Sequence, residues 1–285
     1  MNAALAMAAP APIAPVSLDR LSFNQVTADR YDMRTVVESC VRHDIRHIAL
    51  WRHKVAELGL QETARLVRDA GLSVSSLCRG GFFAAPTEAQ RRERHADNQR
   101  ALEEAAELGT NVLVLVCGPA PDRDLAAARR MVVEGIEALL PDAERLGVVL
   151  GVEPLHPIYA GDRSVIVTLG QANTIAGRFP RELVGVVIDA YHVWWDPSVY
   201  EGIERAGNRI LGFHVSDWLV PPPADPLMSR GMMGDGVIEL KRLRAAVDGT
   251  GYQGPIEVEI FNNEVWDMPI DDMVSLVRQR FAETV

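Results

Sequence analysis

Leu183-Val-Gly-Val-Val-Ile188 is an unbroken apolar run that stops at Asp189. A run rich in β-branched residues, with no polar alternation, is the mark of a strand buried on both faces, as in a parallel sheet. Val112-Leu-Val-Leu-Val116 reads the same way. Outward from these two runs, short aliphatic stretches alternate with longer ones of helical spacing. Strands are expected at 21–26, 47–51, 73–78, 111–117, 147–153, 183–189, 210–215 and 256–261. Helices are expected at 32–42, 61–70, 88–108, 123–146, 164–178, 197–206, 239–247 and 268–281. Strict alternation implies a parallel sheet with its helices returning outside it. Eight such units in a chain of 285 residues suit a closed (β/α)8 barrel, which takes roughly 250. A doubly wound open sheet is the alternative, but the first strand lacks the glycine-rich phosphate turn of that fold. The expectation is one α/β domain, a (β/α)8 barrel over 18–285.

Composition narrows the function classes. A formal charge of −10 opposes nucleic-acid binding, which needs a basic surface to displace phosphate counterions. The short basic run Arg91, Arg92, Arg94 and His95 reads as a solvated helix face. No apolar run approaches the ~20 residues that span a bilayer, so no membrane partner is expected. Cys40, Cys78 and Cys117 are odd in number and widely spaced, which suits a reducing compartment, the cytoplasm. Cys117, with no positive neighbour in the sequence, reads as a small buried residue. Residues 1–17, Ala/Pro-rich and without a basic start, read as a disordered leader rather than a signal peptide.

The last four strands carry the chemistry. Val148-Val-Leu-Gly-Val ends at Glu153, the run at 183–188 ends at Asp189, Leu211-Gly-Phe ends at His214, and Ile256-Glu-Val ends at Glu259. In a barrel these ends meet at one mouth. Three carboxylates packed there repel one another unless a cation joins them. Three oxygen donors with one imidazole suit Mn²⁺ first, then Mg²⁺, Co²⁺ or Zn²⁺. Acids at strand ends also cap helices or face solvent, but four in a row, each after a buried run, is a stronger pattern. Glu257 and Glu259 share a strand face; Glu259 is preferred as the ligand because it lies nearer the end, and the choice between them stays open.

Other polar residues fall around the same mouth. His156 and His192 each follow a ligand by three positions, and they read either as acid/base groups or as partners that orient a carboxylate. Asn24, Trp51 and Arg79 stand at the ends of the first three strands, with Arg52 and His53 following Trp51. Arginine donors and an indole face suit a sugar; rim salt bridges or core packing are the plainer reading. Trp194 and Trp195 either wall the pocket or pack the sixth helix. The Pro/Gly-rich piece 221–236 follows the seventh strand, so it is a candidate active-site loop or else a mobile surface insertion.

Gly151-Val-Glu-Pro-Leu-His156, Val187-Ile-Asp-Ala-Tyr-His192, Gly212-Phe-His-Val-Ser-Asp217, Gly234-Asp-Gly236 and Ile256-Glu-Val-Glu-Ile-Phe261 together resemble the xylose-isomerase-like sugar isomerase/epimerase barrels. That resemblance implies one Mn²⁺-like ion on Glu153, Asp189, His214 and Glu259, with His192 contacting substrate. The chain departs from the ketose 3-epimerases of this family in three places. His156 stands where Asn is usual, a second Glu near Tyr159 is missing, and no Arg follows His214 closely, where the chain runs Asp217-Trp-Leu-Val220. The Glu-Pro-Leu-His arrangement also resembles the large subunit of C-glycoside-deglycosylating enzymes, in which that histidine acts as base on a 3-oxo sugar.

The implied activity is metal-assisted proton abstraction beside a sugar carbonyl through an enediolate, with Glu153, Glu259 or His156 as base. The alternative is β-elimination from a 3-oxo-C-glycoside with a small β-rich partner subunit. The substrate is a small sugar or glycoside, and either a homo-oligomer or a hetero-oligomer is expected. A DNA-repair endonuclease needs more histidines and a basic groove, and a non-catalytic sugar-binding barrel has no call for all four ligand types.

Overall fold

The structure is a computed structural model that describes residues 13–285. Of the expected leader, 1–12 lie outside the described residues, while Ala14 accepts a hydrogen bond from Arg244 and Val16 packs on the core. Eight parallel strands close a barrel: β1 Leu21–Asn24, β2 His47–Trp51, β3 Ser73–Gly81, β4 Val112–Val116, β5 Val149–Glu153, β6 Val184–Asp189, β7 Ile210–Val215 and β8 Ile256–Val258. They run round the barrel in sequence order, with β8 closing against β1 through Leu21↔Ile256 and Phe23↔Val258. The expected (β/α)8 barrel is therefore the fold.

Boundaries shift where side chains redirect the backbone. β1 stops at Asn24, because its carboxamide oxygen accepts the Val26 N–H and turns the chain into the 3₁₀ turn Gln25–Ala28. β3 outruns its expected end at Cys78 and reaches Gly81. There φ is 106° and a Cβ would stand 2.0 Å from the Val116 carbonyl oxygen, so only glycine fits. β8 ends at Val258, which leaves Glu259 on the first residue beyond the strand. The second helical unit is two helices, Arg52–Leu58 and Leu60–Asp69, parted at Gly59 with φ 99°.

The helices bury one stripe each against the barrel. Met33–Arg42 turns Met33, Val36, Val37 and Cys40 inward, the i, i+3, i+4, i+7 spacing of one helical face. Leu125–Leu146 does the same with Ala128, Val132, Ile136, Leu139 and Ala143. Beneath them Phe23, Ile48, Leu50, Leu113 and Leu115 are fully enclosed.

Strand register sets the site. Asp189 pairs with His214, and His214 pairs with Glu257, so three adjacent staves bring these residues to one level. Above them the loop at 221–236 is fastened at both ends. Asp217–Trp218 pairs antiparallel with Arg230–Gly231, and the Asp217 carboxylate accepts the N–H groups of Trp218, Gly234 and Ile238, each at 2.9 Å. A Cβ on Gly236 would lie 2.2 Å from the Trp218 carbonyl oxygen, so this turn also demands glycine. Among the described residues no helix is long and apolar enough to cross a membrane.

Candidate active site

Glu153 ends β5, Asp189 ends β6, His214 sits one residue inside the end of β7, and Glu259 follows β8. Each offers one ligand atom, and the four atoms lie within 4.8 Å of one another. All four residues are 5% exposed or less. Carboxylates buried at that density need a cation among them. His214 Nδ1 lies 3.4 Å from Glu153 Oε1 and 3.9 Å from Glu259 Oε2. Both His214 Nδ1 and Glu153 Oε1 are buried without a hydrogen-bond partner, a rare condition for buried polar atoms. Two orphaned donor atoms facing one another, in a set of three oxygens and one nitrogen, fit a divalent ion.

The geometry separates the two glutamates of the last strand. Glu257 lies inside β8 in register with His214, two residues before Glu259, where it accepts from Ser75 Oγ at 2.8 Å and Asn24 Nδ2 at 3.3 Å. Its Oε2 is 3.1 Å from His214 Nε2, an ion-pair contact off the line of a hydrogen bond. With Nε2 facing Glu257, the other ring nitrogen is the one turned to the cluster, the arrangement by which a buried carboxylate orients a ligand histidine. Glu259 joins the cluster, its Oε1 accepting from Asn24 Nδ2 at 3.1 Å.

With only protein charges around them, these groups diverge. Burial pushes Glu259 up to about 7 and raises Glu153 as well. Burial acts the same way on Asp189, but the Arg230 guanidinium, with His192 and His214 beside it, outweighs burial and holds that carboxyl below the usual range. Burial opposes charge on His214 too, yet Glu257 and the other carboxylates keep the ring well above its ordinary value.

Arg230 is the residue that sequence reasoning missed. Its Nη1 donates to Asp189 Oδ2 at 2.6 Å, while Nη2 donates to His192 Nε2 at 3.2 Å and lies 3.3 Å from Glu259 Oε2. The guanidinium sits over the rings of Tyr191 and Phe261, 4.7 and 5.5 Å from their centroids. Its backbone is tied down by Phe261 O at 3.3 Å and Asn262 Nδ2 at 2.9 Å. The arginine absent from Asp217–Trp218 and the two residues after it is thus delivered later, by the loop. One signal was available: Arg230 is the single basic residue in 221–236.

A cavity of about 90 Å³ opens on this cluster. Trp51 and Arg79 line one side, and Glu153, His192, Arg230 and Glu259 line the other. Leu227 of the loop covers it, held there as Tyr159 and Tyr191 donate their hydroxyls to Pro226 O at 2.7 and 3.2 Å. His192 accepts from Arg230, so its proton is on Nδ1, an atom that is buried and without a partner; burial pushes this ring down to about 3. Of the expected substrate contacts, His192, Arg79 and Trp51 line the cavity. Asn24 stands behind it, buried, donating to Glu257 and Glu259 and accepting from Trp51 Nε1 at 3.0 Å.

His156 is placed outside this lining. Its Nδ1 accepts the Ile158 N–H at 3.2 Å, and its ring packs against Trp218 and Trp195 with centroids 4.8 and 5.5 Å away. Trp195 donates to His192 O at 2.8 Å, so it props the histidine from behind. Arg52 is a rim residue, paired with Asp97 at 3.0 Å and with Glu104. Cys117 is fully buried, and burial raises its thiol far above the ordinary value.

Comparison with known proteins follows the same lines. A family model described as xylose isomerase-like TIM barrel matches residues 35–279. The crystal structure of a protein from Sinorhizobium meliloti 1021 is 47% identical with a TM-score of 0.91, covering 94% of this chain and 99% of that one. An inosose isomerase of Bacillus velezensis is 23% identical over 91% of this chain and 95% of its own length. A 3-dehydroshikimate dehydratase of Pseudomonas putida is 29% identical over 61% of this chain, a match that spans 27% of that longer protein.

Proposed function

This chain belongs to the xylose isomerase-like TIM barrel family, and we propose that it is a divalent-metal-dependent enzyme that removes a proton next to the carbonyl of a polyhydroxylated substrate. The observation that carries this reading is the meeting of Glu153, Asp189, His214 and Glu259 within 4.8 Å at the floor of a cavity, with His214 Nδ1 and Glu153 Oε1 unpartnered. A bound ion, Mn²⁺ first by its donor set, supplies Lewis acidity toward a carbonyl oxygen and the hydroxyl beside it.

The chain supplies the rest. Glu153 and Glu259 stand three staves apart and flank the reacting carbon from two sides. One carboxylate takes the C–H proton, and a proton returned at the neighbouring carbon isomerises the substrate. A proton returned to the opposite face of the same carbon epimerises it. Arg230 holds Asp189 and Glu259 in place, and the free Nδ1–H of His192 donates to a substrate oxygen. Trp51 gives an apolar wall, and the loop over Leu227 excludes water.

A second outcome uses the same first step. If the carbanion next to the carbonyl expels a β-hydroxyl instead of being reprotonated, the product is an enone, and the similarity to a dehydratase favours that variant. Cleavage of a C-glycoside rested on His156 as base, and its position among Trp195 and Trp218 lends that variant no support. The cytoplasm is the proposed compartment, since Cys40, Cys78 and Cys117 are buried free thiols.

The test is incubation in D₂O with Mn²⁺ and a panel of ketoses, inososes and 3-oxo glycosides. Deuterium is expected at the carbon next to the carbonyl, lost on chelation and restored by Mn²⁺. Exchange that continues undiminished after chelation ends this reading.

A further inference from the structure

Arg79 ends the wall that faces the carboxylate cluster. β3 stands four staves from β7, directly across the mouth from His214. The Arg79 side chain lines both the 90 Å³ cavity and an adjoining pocket of about 380 Å³, with Trp51 and Cys78 shared between the two. It is half-buried and lies on the Phe82 ring, 4.0 Å from the centroid. Among the described residues no carboxylate lies within ion-pair distance of it. Asp97, the one acid lining the adjoining pocket, is already held by Arg52 at 3.0 Å and Arg100 at 2.9 Å.

A second guanidinium faces the same space. Arg163 lines the cavity, stacks loosely on Tyr159 at 6.0 Å, and has a buried Nε with no hydrogen-bond partner. Its nearest acid is its own neighbour Asp162, exposed and 3.6 Å away. Burial first, then the charges of Arg163 and Arg52, depress Arg79 below the usual guanidinium range. Two like charges gathered at one cavity, Arg79 on an aromatic ring with no carboxylate in reach and Arg163 with only an exposed one 3.6 Å away, are costly unless a ligand completes them. A neutral hydroxyl satisfies hydrogen bonds but not charge. A carboxylate or phosphate does both, and guanidinium binds either in two-pronged fashion.

We infer that the substrate carries a compact oxyanion, a carboxylate or a phosphate, which seats on Arg79 with Arg163 beside it, across the mouth from the cluster that acts on its carbonyl. This rests on the proposed reaction for the other end of the substrate, and it narrows that substrate from any polyhydroxylated ketone to an anionic one. The charge layout follows. The acidic cluster with its ion handles the carbonyl end, and the arginine wall fixes which carbon is presented to Glu153 and Glu259.

The test is calorimetric titration of the full chain, first with Mn²⁺ alone and then, in Mn²⁺, with three ring probes: myo-inositol, quinate and inositol 1-phosphate. At least one anion is expected to bind about tenfold or more tightly than inositol, and the preferred anion identifies carboxylate or phosphate. Arg79→Met is expected to bring that ratio near one, Arg79→Lys to keep part of it, and Arg163→Met to lower it less. Circular-dichroism melts check that the variants fold; if Arg79→Met does not, the wild-type ratio and Arg163→Met decide. Equal binding of all three probes, or a preference that survives Arg79→Met because the anion sits on the ion instead, overturns the inference. A chain that takes no Mn²⁺ yet keeps an Arg79-dependent preference overturns the proposed reaction and leaves the oxyanion seat standing.

Discussion

The two halves of the barrel mouth are built on opposite electrostatic plans. From β5 to β8 the strand ends bring four buried acids, Glu153, Asp189, Glu257 and Glu259, around one imidazole, with Arg230 inserted from the loop above. From β1 to β3 the ends bring Asn24, Trp51 and Arg79, of which only the last is charged. On the acidic side every group leans on another, so its charges are mutually dependent. On the other side Arg79 stands without a carboxylate. The difference separates acids that share one imidazole, one guanidinium and a place for a cation from an arginine left for a ligand.

The sharpest way to break the comparison is Arg230→Met. It removes the cation from between Asp189 and Glu259, and loss of one partner from a buried ion pair costs about 3–5 kcal/mol. Urea unfolding should show a loss of that size in metal-free protein, partly recovered with Mn²⁺. An unchanged midpoint would mean the acidic side does not depend on its arginine.

A smaller effect is expected at Glu257. Glu257→Gln keeps the shape but removes the charge that faces His214 Nε2. Loss of a partner that orients a ligand histidine weakens metal affinity by about 10–100-fold. Competition titration with Mn²⁺ measures it, and an affinity equal to wild type would show that Glu257 only fills space.

The smallest effect tests a rim acid with a purely local task. Asp32 caps the helix Met33–Arg42 by accepting the Thr35 N–H at 2.8 Å, and that bond, against the opposing effect of burial, holds its carboxyl below the ordinary value. A lowered carboxylate contributes stability above its unfolded value and loses it as pH falls through the folded one. Asp32→Ala should therefore cost about 1 kcal/mol at neutral pH, with the gap to wild type shrinking below about pH 4. Thermal melts at pH 7 and pH 3 check the sign; a gap that widens in acid would contradict it.

Legibility differs between the same two halves. The convergence of Glu153, Asp189, His214 and the last-strand glutamates could be read in one dimension because each closes its own apolar run, so the end of a strand was also the position of a polar group. Arg79 and Trp51 could be read for the same reason. Arg230 could not, since its distance from His214 along the chain is taken up by a loop whose path depends on the Asp217 carboxylate and on Gly236. Asn24 was placed at the mouth but given the wrong neighbour, for its amide turns back to Glu257 and Glu259 rather than into the cavity. His156 shows the converse problem. Its spacing from Glu153 matches that of His192 from Asp189, yet a 3₁₀ turn at Pro157–Tyr159 carries the first ring out among tryptophans, while a helical turn at Ala190–Val193 buries the second beside Arg230.

Periodicity and the residue that ends each apolar run were enough to determine the barrel and to bring Glu153, Asp189, His214 and one glutamate of the last strand to one mouth, because strand direction and burial are local properties that repeat every few residues. The choice between Glu257 and Glu259, the arrival of Arg230, the withdrawal of His156 and the isolation of Arg79 were decided only in three dimensions. Each depends on which atoms of distant segments come within a few ångströms, and on whether a charge finds its counterpart there, and neither is recorded in the order of residues along the chain.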